Sequence, residues 1–157
     1  MKRLGALSAA MCVAVALGSA LVASPAVAAY PKCTTNEFVY GTGLNSIKQI
    51  PTSGTTVAAT SCDLRYGDNN NNAVRYGLQQ SLNNCFGPNG SKAHVFSPAL
   101  TMDGDFGTKT QEALLAVQDY LDISIDGSYG PQTRDAMWWG SGPGGPCAKI
   151  AQPIQLA

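Results

Sequence analysis

Charge is scarce in this chain: 13% of its 157 residues are Asp, Glu, Lys or Arg, and ten acidic side chains balance ten basic ones. A typical globular domain carries about a quarter charged residues. So neutral a balance excludes phosphate-driven nucleic-acid binding, which needs clustered Lys and Arg. It equally excludes a polybasic membrane anchor and an acidic disordered tail. Histidine is almost missing. The single His94 rules out any site built on two or three imidazole ligands, and its Gly/Pro/Ser-rich surroundings predict a solvent-exposed side chain. No C-x-x-C, G-x-S-x-G or H-E-x-x-H is present, and no D-x-D-x-D-G loop followed by Glu. Neither a metal nor a cofactor is expected.

Long apolar runs are also absent after the first 29 residues. Those begin with Lys2 and Arg3, continue apolar from Leu4 to about Val22, and end on the small residues Ala26, Ala28 and Ala29. This is the layout of a secretory signal peptide over residues 1–29, and cleavage leaves 128 residues with no span for a membrane. Two positive charges leave with it, so the mature chain is slightly acidic. Cys12 also leaves, and Cys33, Cys62, Cys85 and Cys147 remain. An even count in an exported chain predicts two disulfides, with three pairings open to four cysteines.

What is present divides in two near residue 68. Residues 30–69 hold short β-prone runs at Phe38-Val39-Tyr40, Ile47 to Ile50 and Thr55-Thr56-Val57, broken by Pro51 and Gly54. They read as a small β-ribbon and linker, too small to fold without a staple. An Asn of the run 69–72 is suited to cap the next helix. From Ala73 the period turns helical: Val74, Leu78, Leu82 and Cys85 form one apolar stripe. Gly77 within it costs about 1 kcal/mol relative to Ala, so packing must hold this helix.

A repeat follows. Asp103-Gly104-Asp105-Phe106-Gly107-Thr108-Lys109-Thr110 returns 23 residues later as Asp126-Gly127-Ser128-Tyr129-Gly130-Pro131-Gln132-Thr133. The shared pattern D-G-x-[F/Y]-G-x-x-T marks one supersecondary unit used twice. Asp-Gly makes a tight turn, the aromatic Phe106 or Tyr129 drops into a core, and Gly107 or Gly130 lets the chain enter a helix. Thr108 with Gln111 fits a capping box, and Pro131 suits a first helical position. Gly140 is expected to end the last helix. The fold class is then mainly α: a three-helix bundle over 70–147, preceded by a disulfide-stapled β-ribbon and followed by a tail at 148–157.

These residues resemble the peptidoglycan-binding domain family, a three-helix module attached to many cell-wall hydrolases. The resemblance rests on L-Q-x-x-L-N at Leu78 to Asn83, on both D-G-x-[F/Y]-G-x-x-T copies, and on A-L-x-x-V-Q at Ala113 to Gln118. It covers residues 73 to about 139. The paired cysteines ahead of a single such domain are similar in layout to small secreted actinobacterial proteins. The resemblance implies a secreted or wall-associated module that binds peptidoglycan, through glycan or stem peptide, without catalysis of its own and with a separate wall hydrolase as a candidate partner. Glycosidase chemistry needs only two carboxylates, so a minimal hydrolase stays open as an alternative, as does a protein-interaction or inhibitor role on the same scaffold.

Candidate ligand contacts are Asp103, Asp105, Tyr129, Arg134 and Trp138. Asp103 and Asp126, with Gly104 and Gly127, read first as turn-makers; Phe106 and Tyr129 read first as core wedges, the latter with a hydroxyl able to reach a groove. Thr110 and Thr133 lie on inward helix faces. The layout predicts Cys33–Cys62 closing the ribbon and Cys85–Cys147 tying the first helix to the tail. Trp138 and Trp139 are about 100° apart on a helix. Trp139 then falls on the buried side, and Trp138 points outward beneath Arg134.

Overall fold

The computed structural model describes residues 29–43, 47–142 and 144–157. All of the expected signal segment but Ala29 lies outside the described residues. Among those described, no helix is long and apolar enough to cross a membrane.

Strand β1 (Thr35–Tyr40) pairs antiparallel with β2 (Ile47–Thr52), from Thr35 opposite Thr52 to Tyr40 opposite Ile47. Alternation puts Val39, Lys48 and Ile50 on the inner face and leaves Phe38, Tyr40 and Ile47 outside. The tail then adds to the free edge of β1. Tyr40 N–H donates to Gln155 O, Ala151 N–H to Tyr40 O, and Ala157 N–H to Phe38 O. Thr55-Thr56-Val57 does not form a strand: Val57–Thr60 is a 3-10 helix, and the Thr56 hydroxyl accepts from Ala59 N–H at its start. The β propensity of that run yields to a local side-chain bond that favours a turn.

The first helical segment starts as a π-helix, Ala73–Gln79, and continues as α1 (Gln80–Phe86). Asn71 Oδ1 accepts from Ala73 N–H at 2.8 Å, so an Asn of the linker does secure its start. Helix α2 runs Thr108–Tyr120 and α3 only Pro131–Ala136. The expected capping box does not form. Gly107 occupies the cap and Thr108 is already the first helical residue, one position too late to cap. Gly140 does not end α3 either. At Met137 the backbone becomes extended, and Trp139 exchanges two hydrogen bonds with Ala148. Among the described residues, three α-helices, a two-stranded antiparallel sheet and two disulfides therefore coexist with much turn and loop.

The disulfides are Cys33–Cys62 and Cys85–Cys147, the pairing the layout predicted. In the chain-entropy account, loops of 29 and 62 residues stabilise by roughly 3.5–4.5 kcal/mol each. Ribbon, helices and tail contribute to one core, from Val39 and Ile50 through Leu78, Leu82 and Leu114 to Trp139 and Ile150. Lys48 is buried in it, with Nζ donating to Ser141 Oγ at 2.8 Å and Pro146 O at 2.6 Å; burial lowers its pKa.

Gly77 shows how closely ribbon and helix approach. A Cβ there would lie 2.8 Å from the Cγ and Cδ of Pro51 and 2.9 Å from its backbone nitrogen. In an ordinary helix Gly→Ala stabilises by about 1 kcal/mol. Here the methyl group forces β2 off the helix, so Gly77→Ala is expected to destabilise by about 1–3 kcal/mol. Urea denaturation checks the sign, and a stabilised variant contradicts the contact.

Candidate functional site

Each Asp-Gly turn is tied to a helix by one buried glutamine. In the first copy Gln79 Nε2 donates to Asp103 Oδ1 at 2.8 Å, with Asp105 O and Thr110 Oγ1 both at 3.1 Å. Its Oε1 accepts from Gly104 N–H at 3.1 Å. Asp103 Oδ1 also accepts from Asp105 N–H, and Thr110 Oγ1 donates to Asp105 O. The second copy repeats this bond for bond. Gln118 Nε2 donates to Asp126 Oδ1 at 2.9 Å, Ser128 O at 2.9 Å and Thr133 Oγ1 at 3.2 Å, while Oε1 accepts from Gly127 N–H at 2.9 Å. Gly104 (φ +86°) and Gly127 (φ +66°) occupy the left-handed region that the turn demands. The hydrogen bond from Gln79 is the main cause holding the Asp103 carboxyl below the usual carboxylate range.

Two surface cavities border these knots, and another adjoins the first of them. One, of about 270 Å³, lies against the first turn and the start of α2, lined by Leu100, Thr101, Asp103, Asp105 and Lys109 among others. A neighbour of about 210 Å³ lies beneath the loop 96–100 and shares Leu100 and Lys109 with it. The third, of about 300 Å³, lies at the second turn, where Tyr30 and Asp63 of the ribbon segment meet Asp126, Ser128 and Gln132. Among the described residues no three His, Cys, Asp or Glu side chains gather where a metal ion would be held.

The five candidate contacts separate. Asp103 and Asp105 border the first cavity together; Asp105 Oδ1 accepts from Asn70 N–H at 2.8 Å. Tyr129 is fully buried, its ring edge-on to Trp139, and its hydroxyl has no hydrogen-bond partner among the described residues. Burial pushes the phenol well above its ordinary pKa. That hydroxyl therefore reaches no groove. Arg134 is also buried: its guanidinium donates to Thr60 O at 2.9 Å and Thr60 Oγ1 at 3.2 Å and pairs with Asp135, clamping the ribbon segment to α3. It does not cover Trp138. Lys149 does, with Nζ 4.1 Å from the ring centroid. Trp138 is half-buried and Trp139 fully buried, as expected, but because both follow α3 in extended backbone that alternates in and out, not because of a helical wheel.

The glutamines were not legible as knot-makers. Each follows an apolar residue, in Leu78-Gln79 and Val117-Gln118, yet they lie outside the 23-residue register of the turns they bind. The same pairing of one inward Gln with each D-G-x-[F/Y] is the signal that finds them. Lys109 fills a variable position of the repeat, and Leu100 and Thr101 lie in no motif.

Residues 71–137 match the family model described as a putative peptidoglycan binding domain. No curated protein and no solved structure matches the chain.

Two substitutions test the knots. Gln118→Leu removes four polar contacts and strands a buried Gly127 N–H, so a loss of about 2–4 kcal/mol in urea denaturation is expected. Tyr129→Phe restores the residue type of the first copy, Phe106, and removes an orphaned hydroxyl. It is expected to be neutral or to raise stability by up to about 1 kcal/mol, read as a rise in Tm.

Proposed function

We propose, for a chain whose residues 71–137 are a peptidoglycan-binding domain, that it is a secreted, non-catalytic module that holds to the bacterial cell wall. The observation that carries the reading is the match over 71–137, because that segment runs from Asn71 through both glutamine-tied turns to Met137. The functional unit is residues 70–147; the ribbon and the tail brace it through the shared core. The two disulfides support an extracytoplasmic site of action, where oxidising conditions keep them closed. A wall hydrolase acting beside it is the natural partner for a module without its own chemistry.

Asp103 spends one carboxylate oxygen on the turn and on Gln79, which suits a scaffold more than a proton shuttle. Trp138 presents a ring face already covered by the Lys149 ammonium, so sugar stacking there requires Lys149 to move.

The purified mature protein is expected to pellet with isolated sacculi and to leave the turbidity of a sacculus suspension unchanged over hours. Loss of turbidity that a single carboxylate substitution abolishes assigns the protein to the hydrolases instead. Failure to pellet at low and moderate salt removes wall binding altogether.

A further inference from the structure

The first-turn cavity and its neighbour are not two sites. They share Leu100 and Lys109, so they form one groove running from the Asp103 turn to the loop 96–100. Its centre is cationic: Lys109 is exposed on the first turn of α2 and has no ion-pair partner among the described residues. Its ends are anionic, Asp103 and Asp105 on one side and Glu112 on the other. Its floor is apolar and small, made of buried Leu100 and Ala113, with half-buried Phe96 at one wall.

Resting on the wall-binding reading above, we propose that this groove takes the stem peptide of peptidoglycan and not the glycan. A short peptide of small residues that carries carboxylates and an amine matches a cation flanked by three acids, with alanine methyls on the Leu100 and Ala113 floor. In the intact wall, where the lactyl carboxyls are amidated, the glycan offers Lys109 neutral hydroxyl and acetamido oxygens but no carboxylate. Glycan recognition in open grooves draws on exposed ring faces, and the strongly exposed aromatics Tyr30, Phe38, Tyr40, Tyr66, Tyr76 and Tyr120 do not line this groove.

The second turn supports the assignment by contrast. There the position of Lys109 is held by Gln132, that of Asp105 by Ser128, and ribbon residues Tyr30 and Asp63 border the space. The scaffold is duplicated, whereas the charge pattern occurs once.

The test uses the full mature chain with three probes: intact sacculi, peptide-free glycan strands prepared with an amidase and then amidated at the lactyl carboxyls that cleavage exposes, and the soluble stem peptides that the amidase releases. Stem peptides are expected to compete the protein off sacculi and to shift backbone NMR signals of Leu100, Thr101 and Lys109, while peptide-free strands bind weakly or not at all. Lys109→Ala is expected to weaken sacculus binding by roughly tenfold or more with unchanged Tm, and Lys109→Arg to retain most of it. Equal binding to peptide-free strands, or full binding by Lys109→Ala, overturns the stem-peptide assignment and leaves wall binding intact. Failure to bind any of the three probes overturns the wall-binding reading itself.

Discussion

A primary amide buried twice governs this structure. Gln79 is 1% exposed and so is Gln118, and each would cost several kcal/mol if its amide were left unpaired. An Asp-Gly turn alone leaves an amide N–H, one backbone carbonyl and one carboxylate oxygen facing inward. The glutamine supplies one acceptor and two donors at the right places, and the downstream Thr hydroxyl completes the set. Turn and helix thus satisfy each other, and neither keeps its shape without the partner. The aromatic that follows, Phe106 or Tyr129, then has a fixed point of entry to the core.

The same logic joins the ribbon to the helices. Asn71 is the joint: its Nδ2 donates to Cys33 O, its Oδ1 accepts from Ala73 N–H, and its backbone N–H donates to Gly104 O. One residue therefore links a disulfide, a helix start and the first turn. Arg134 does the equivalent for the second copy through Thr60, and Leu64 exchanges two backbone hydrogen bonds with Tyr129. The contact of Pro51 with Gly77 closes the remaining gap. A ribbon too small to fold alone is held by polar bonds to the very turns that define the domain.

Sequence reasoning reached the parts of this that are local or periodic. The doubled turn, the aromatic wedges, the number of disulfides and the strand-forming runs at 38–40 and 47–50 follow from spacing and composition. It failed where a tertiary partner overrides a local preference. Thr108 looked like a cap, but Gly107 already lets α2 begin. The third helix looked long enough to carry both Trp residues, but strand-like pairing with Ala148 ends it at Ala136. Arg134 looked like a surface group because Arg usually is one; only the fold reveals the Thr60 carbonyl that draws it inward. The glutamine knots were hidden for a similar reason, since Gln79 and Asp103 are 24 residues apart and Gln118 and Asp126 only 8.

Duplication with unequal surfaces is where fold and function part. Residues that bond inward are the same or equivalent in both copies: Asp, Gly, the aromatic, the second Gly, the Thr and the distant Gln. Residues that face outward differ at almost every position, with Asp105, Thr108 and Lys109 replaced by Ser128, Pro131 and Gln132. Internal bonding tolerates no change, because each lost partner leaves a buried polar group unpaired. Outward positions meet no such constraint and are free to serve recognition. Each copy therefore builds the same support, and only the residues that the repeat does not share distinguish one groove from the other. The ribbon extends this asymmetry. By placing Tyr30 and Asp63 beside the second turn it alters the surroundings of one groove and leaves the Lys109 groove to residues of the helical unit alone.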